Sequence, residues 1–322
     1  MDLTIIVPCY NEEKNISVFY KECIRVMTED ISGCTYEFIF VDDGSKDCSL
    51  NEIIELAKLD NNVKYVSFSR NFGKEAAIYA GLEYSCGDYV AVMDADLQDP
   101  PGLLPEMFLT LREGSFDCVA TRRKDRKGEP VIRSVFSKLF YRVLNYSAKD
   151  VEIRNGARDF RMMTRKVVNA VLDMAEKNRF SKGLFSWVGF KTKWIEYDNV
   201  VRSSGESKWK FSSLTRYALD GIINYSNVPL NISSVFGIVM TIISFVILFI
   251  IVVRKIIFGD PVDGWASTVC IIIFIGGIQL LCMGIMGQYI AKTYTEVKNR
   301  PIYIVAASNM EKGNKIDGKM SI

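Results

Sequence analysis

The sequence predicts an α/β domain built on a mostly parallel sheet, followed by two transmembrane helices. Three observations carry this. Short apolar runs alternate with stretches of helical spacing through residues 3–93, two of those runs end in acidic clusters, and two long uncharged apolar stretches stand near the C-terminal end. Strands that alternate with helices of this length form a parallel sheet covered on both faces.

In chain order, residues 3–8 (LTIIVP) read as a buried strand and 12–29 as a helix. YEFIFV (36–41) is a second strand, ending at Asp42-Asp43-Gly44-Ser45, and 47–59 a second helix. VKYVSF (63–68) is a third strand and 74–85 a third helix. DYVAVM (88–93) is a fourth strand, ending at Asp94. Ligands of such sheets bind beyond the carboxyl ends of the strands, which is where the acidic clusters at 42–43 and 94–96 fall. The N-terminus does not read as a signal peptide, because Ile5-Ile6-Val7 is too short an apolar run and Pro8 follows it.

Residues 121–142 change character. Arg122, Arg123, Lys124, Arg126, Lys127, Arg133, Lys138 and Arg142 face only Asp125 and Glu129, and Ile132, Val135, Phe136, Leu139, Phe140 and Val143 recur at helical spacing. A basic amphipathic helix near 130–147 suits an anionic membrane surface; a solvated basic loop before an ordinary core helix is the alternative. Leu230–Val253 is uncharged over 24 residues and Ala266–Ile290 over 25, each longer than the roughly 20 residues that span a bilayer core. The basic residues before the first stretch, with Lys292, Lys298 and Arg300 after the second, favour both termini in the cytosol. The domain organisation is therefore 1–229, two transmembrane helices over 230–290 and a cytosolic tail over 291–322, polar and unstructured beyond about 306. Gly276-Gly277, Gly284 and Gly287 allow helix packing between subunits, which leaves a homo-oligomer open.

Composition narrows the chemistry. The formal net charge is +2, so bulk charge points to no nucleic-acid partner, and the eight cysteines form no CxxC pair; they read as reduced thiols. There is no histidine, which excludes Ser-His-Asp and Cys-His machinery and any His metal site. A metal, if used, takes hard oxygen ligands, which suits Mg²⁺ or Mn²⁺. Asp94-Ala95-Asp96 at the end of an apolar strand is costly to bury unless a cation neutralises it, and a divalent cation bridging it to a diphosphate meets that need. Asp99, before Pro100-Pro101, reads as a helix-start signal.

Val7-Pro8-Cys9-Tyr10-Asn11-Glu12, Val41-Asp42-Asp43-Gly44-Ser45 and Asp94-Ala95-Asp96-Leu97-Gln98-Asp99 resemble the signatures of glycosyltransferase family 2. Ala157-Arg158-Asp159-Phe160-Arg161, Asn178-Arg179-Phe180-Ser181-Lys182-Gly183 and Arg202-Ser203-Ser204-Gly205-Glu206-Ser207-Lys208-Trp209 resemble its polyprenyl-phosphate branch, which includes dolichol-phosphate mannose synthases and bactoprenol glucosyltransferases. The resemblance implies a GT-A, Rossmann-like catalytic domain. It implies an inverting hexosyl transfer from a nucleotide-sugar donor, UDP-glucose foremost, to a polyprenyl phosphate such as undecaprenyl phosphate. The transfer would occur at the cytoplasmic face of a lipid bilayer.

The same resemblance implies site roles. Pro8, Tyr10 and Glu12 line the nucleotide pocket, and Asp43 holds base or ribose beside Asp42. Asp94, Ala95 and Asp96 flank the donor diphosphate, with Asp96 the main metal ligand and Gln98 assisting. Arg122, Arg133, Ser137, Arg202 and Lys208 cradle phosphates. Asp159 is either a base or the partner of Arg158 or Arg161 in an ion pair. Three other readings stay open: a GDP-mannose or UDP-N-acetylhexosamine donor, a processive polysaccharide synthase, and a non-catalytic nucleotide-binding membrane protein. The synthase lacks its expected Gln-x-x-Arg-Trp motif here.

Overall fold

A computed structural model of the 322-residue chain describes residues 1–31, 33–123, 156–174, 176–177, 179–198, 228–258 and 264–310. The proposed basic helix near 130–147, Arg133, Ser137, Arg202 and Lys208 lie outside the described residues.

Eight strands form one sheet: β1 (Leu3–Cys9), β2 (Tyr36–Asp42), β3 (Val63–Phe68), β4 (Tyr89–Val92), β5 (Cys118–Arg123), β6 (Ala157–Thr164), β7 (Thr192–Tyr197) and β8 (Val305–Ser308). Their order across the sheet is β7-β5-β6-β4-β1-β2-β3-β8. Strands β3, β2, β1 and β4 run parallel, as the alternation of elements predicts. β6 enters antiparallel between β4 and β5, and β7 runs parallel to β5.

The central strands are buried on both faces, which explains their near-continuous apolar runs. Successive residues alternate between faces. Leu3, Ile5, Val7, Phe38 and Phe40 join a core with α1 (Ile16–Asp30), α2 (Ser49–Leu59) and α4 (Leu104–Arg112). Ile6, Ile39 and Val41 join a second core with α3 (Lys74–Tyr84), α5 (Arg165–Asp173) and α6 (Ser181–Trp187). Gly81 lets α3 lie flat on β1: a Cβ there would meet Ile6 Cγ2 at 2.2 Å.

Two long helices follow, α7 (Val228–Phe258) and α8 (Trp265–Val297). Among the described residues one helical stretch, Phe274–Val297, is long and apolar enough to cross a membrane. Beyond α8 the chain departs from expectation. The stretch around 306, read as the start of an unstructured tail, instead returns to the sheet, and β8 pairs antiparallel with the edge strand β3. Tyr303 stacks on Phe68 at 4.8 Å between ring centroids, its hydroxyl donates to Glu83 at 2.6 Å, and Asn309 Oδ1 accepts the Tyr65 N–H at 2.7 Å. The first residues of the polar tail are ordered here, through Met310, and residues 311–322 lie outside the described residues; an open strand edge offers unpaired backbone groups that a short segment can satisfy.

Candidate active site

The strand order puts β2 and β4 on opposite sides of β1, so the chain reverses direction across the sheet between β1 and β4. In open α/β sheets ligands bind at such a switch point, beyond the carboxyl ends of the strands. Both acidic clusters sit on this edge.

On the β1–β2 side, Pro8, Tyr10 and Glu12 are half-buried. The Glu12 carboxylate accepts the Asn15 side-chain amide at 2.6 Å, and its N–H donates to Ser49 Oγ at 2.8 Å. Asp42 is buried and accepts from Ser67 Oγ at 2.8 Å and the Ser45 N–H at 3.1 Å. The buried Asp43 carboxylate accepts the N–H of Phe72 at 2.6 Å and of Gly73 at 2.9 Å, at the entry to α3. Burial raises its pKa, and these backbone bonds oppose the rise. The turn after it needs glycine: Gly44 has φ +66°, and a Cβ there would lie 2.5 Å from the Arg70 carbonyl carbon.

On the β4 side, Asp94 and Asp96 follow the strand end, with Ala95 buried between them. Leu97 holds φ +54°, a left-handed conformation uncommon for a branched residue and costing of order 1–2 kcal/mol. Asp96 Oδ1 accepts the Gln98 N–H at 3.1 Å. The Lys74 ammonium, at the first turn of α3, reaches Asp94 at 2.6 Å and Asp159 at 2.6 Å. Extending the β4–β6 register, in which Val92 opposes Arg161, places Asp94 opposite Asp159. Lys182 stands 3.8 Å from Asp159. Burial alone would raise the Asp159 pKa, but Lys182 and Lys74 hold it well below the usual carboxylate range. Desolvation likewise works against the Lys74 cation, and Asp159 and Asp94 outweigh it.

Two expectations change. Asp159 pairs with Lys74 and Lys182 rather than with Arg158 or Arg161; Arg161 is buried with its guanidinium 4.0 Å above the Phe185 ring. Asp99 is no helix cap. It is fully buried, accepts Arg158 Nε at 3.0 Å and also accepts the Tyr197 hydroxyl. The helix start that proline after an aspartate suggested is there, a 3-10 turn at Pro101–Leu103 that leads into α4, but Asp99 does not cap it, because its buried carboxylate is taken by a guanidinium from the neighbouring strand.

Arg122 forms an ion pair with Glu196, its register partner on β7. Side chains alternate along β5, so Arg123 turns to the DxD edge and donates to Gln98 Oε1 at 3.0 Å, with Arg158 also donating to that oxygen at 3.5 Å. Lys74, Arg123, Arg158, Lys182 and Tyr197 are thus site residues that the sequence reading did not assign. Arg158 and Lys182 lay inside quoted motifs, whereas no local signal marks Lys74. Among the described residues no group of three His, Cys, Asp or Glu side chains could hold a metal ion. The donor set of Asp94 and Asp96 is hard oxygen, which would suit a divalent cation whose remaining ligands came from outside the protein.

Known proteins resemble this chain in sequence. Residues 4–172 match the model of glycosyl transferase family 2. "Putative glycosyltransferase CsbB" of Bacillus subtilis (strain 168) is 42% identical over 308 residues, covering 96% of this chain and 92% of that protein. "Prophage bactoprenol glucosyl transferase homolog" of Escherichia coli (strain K12) is 38% identical over 305 residues, covering 95% and 98%. A solved glucosyl-3-phosphoglycerate synthase from Mycobacterium tuberculosis, in complex with Mn²⁺, UDP and glucosyl-3-phosphoglycerate, aligns at 17% identity and TM-score 0.47, over 69% of this chain and 77% of that one.

Proposed function

The chain belongs to glycosyl transferase family 2, and from that membership we propose that it transfers glucose from UDP-glucose to a polyprenyl phosphate at the cytoplasmic face of a membrane. The observation that carries this reading is the edge between β1 and β4. There two carboxylates, Asp94 and Asp96, stand among the cations Lys74, Arg123, Arg158 and Lys182. Such a mixed rim suits two phosphates, one neutralised through a metal and one through guanidinium and ammonium groups. Likeness to a bactoprenol glucosyl transferase homolog across nearly the whole chain supports the lipid acceptor and the sugar.

The acceptor is a phosphate monoester, largely dianionic near neutral pH because its second pKa is about 6. It therefore needs little help from a base. Its oxygen attacks the anomeric carbon opposite the nucleoside diphosphate. A new C–O bond forms as the bond to the donor phosphate breaks, the electron pair leaves with the diphosphate, and configuration inverts. A divalent cation held by Asp94 and Asp96 would supply charge neutralisation to that leaving group. Asp159 lies between two lysines and takes a proton poorly, which supports a positioning role over a base role. The catalytic work is then positioning and electrostatics.

Apolar side chains exposed along both long helices, among them Ile238, Phe249, Ile250, Ile272, Phe274 and Leu280, support two spans. So does the path of the chain: it leaves the domain through α7 and returns through α8 to pair β8 with β3, which takes an even number of crossings. Both spans then place the sheet and β8 on one membrane face.

Purified protein in detergent with Mn²⁺ or Mg²⁺ and undecaprenyl phosphate, offered UDP-glucose, UDP-galactose, UDP-N-acetylglucosamine and GDP-mannose separately, tests the reading. Release of UDP from UDP-glucose that depends on the lipid, falling at least about 100-fold in Asp96→Asn, is expected; losses of this order follow removal of one preorganised electrostatic group. Turnover with another donor corrects the sugar. No lipid-linked product with any donor sinks the proposal.

A further inference from the structure

Continuing the β4–β6 register past its last pair, Val92 and Arg161, sets Asp94 opposite Asp159 just beyond the end of β4, and like charges directly opposite are unfavourable. One side chain resolves this: Lys74, whose ammonium lies 2.6 Å from an oxygen of each. The two carboxylates are not equivalent. Asp159 has a second cation, Lys182, at 3.8 Å, whereas the ion pair of Asp94 among the described residues is with Lys74. Lys74 itself is 43% exposed at the first turn of α3, and its ammonium is carried on a four-carbon stem with rotatable donors.

A divalent cation approaching Asp94 and Asp96 alone meets this ammonium already seated on Asp94, and among the described residues no group of three His, Cys, Asp or Glu side chains is placed to hold it. A nucleoside diphosphate changes both conditions. Its oxygens complete the cation's ligand set, and its negative charge offers the ammonium a new partner while Lys182 continues to neutralise Asp159. We propose that Lys74 is a positioning residue that occupies the Asp94 carboxylate until the donor diphosphate arrives, so that cation and donor load together. This rests on the nucleotide-sugar donor and divalent cation proposed above.

Free Mn²⁺ measured by electron paramagnetic resonance, titrated against the full chain in detergent with and without UDP, tests the assignment. The wild type is expected to bind Mn²⁺ weakly alone and tightly with UDP. Lys74→Met, which keeps the stem and loses the charge, is expected to bind Mn²⁺ without UDP at least about tenfold more tightly than the wild type, while turnover falls. Lys74→Arg is expected to retain the wild-type dependence on UDP. Lys74→Gln, which keeps a donor toward the carboxylates, replaces the Met variant if that fails to fold, with the same expected sign. Unchanged or weaker Mn²⁺ binding without UDP in a folded Lys74→Met or Lys74→Gln protein overturns the role of Lys74 alone, provided the wild type shows UDP-enhanced binding. A wild type that binds no Mn²⁺ even with UDP overturns the donor reading, and this inference with it.

Discussion

Replacing Arg158 with Met tests whether the turn carrying the DxD carboxylates is held from behind by a buried ion pair. The Asp99 side chain is 1% exposed and that of Arg158 24%, with Nε 3.0 Å from Oδ1. Among the described residues Asp99 Oδ2 has no hydrogen-bond partner, so the loss of Arg158 leaves a buried charge whose other partner among them is the Tyr197 hydroxyl. Removing one partner of a buried pair costs roughly 3–5 kcal/mol, and the partial exposure of Arg158 places this case near the lower end, about 3 kcal/mol. At about 2–4 °C per kcal/mol for a domain of this size, the melting temperature followed by tryptophan fluorescence in detergent should fall by about 6–12 °C. Turnover should fall as well, because Gln98 and Asp96 lie on the same turn. Asp99→Asn in the Arg158→Met background removes the orphaned charge and should recover part of the loss, giving a coupling of about 2 kcal/mol in the double-mutant cycle. A melting temperature within about 2 °C of the wild type, or strict additivity in the cycle, refutes the reasoning.

Gly44→Ala should cost at least about 1–2 kcal/mol, because φ +66° is strained for alanine and the Cβ meets Arg70 backbone at 2.5 Å; UDP affinity by calorimetry should fall with it, and wild-type affinity would contradict the tight Asp43–Gly44 turn. Tyr303→Ala removes a buried ring from Phe68 and a hydroxyl from Glu83, at about 3–5 kcal/mol by analogy with other aromatic truncations. Limited proteolysis should then cut between α8 and β8, and an intact junction would show that β8 holds without it. The folded pKa of Asp159 is depressed, so its stabilisation is present above the unfolded carboxylate value of about 3.9 and lost as pH falls below it toward the folded value. The melting-temperature difference between wild type and Asp159→Asn should therefore be constant from pH 5 to about 8 and shrink below about pH 4; a difference that grows on acidification contradicts the paired-carboxylate geometry.

Local pattern determined a good deal of this protein. The apolar runs of β1 to β4, the helices between them and the acidic strand ends are legible because burial on both faces imposes continuous hydrophobic stretches, and because strand ends in such sheets carry the ligands. The missing histidine narrowed the chemistry, and the motif resemblance named the family. Tertiary structure alone decided which strand lies beside which. Strand order placed Asp94 opposite Asp159, brought Lys74 from twenty residues upstream between them, and set Arg158 against Asp99 where sequence suggested a helix cap. It also drew β8 from beyond the long helices onto the edge of β3. None of these contacts leaves a periodic trace, because each joins single residues far apart in the chain whose attraction depends on the distance and burial that the assembled sheet imposes.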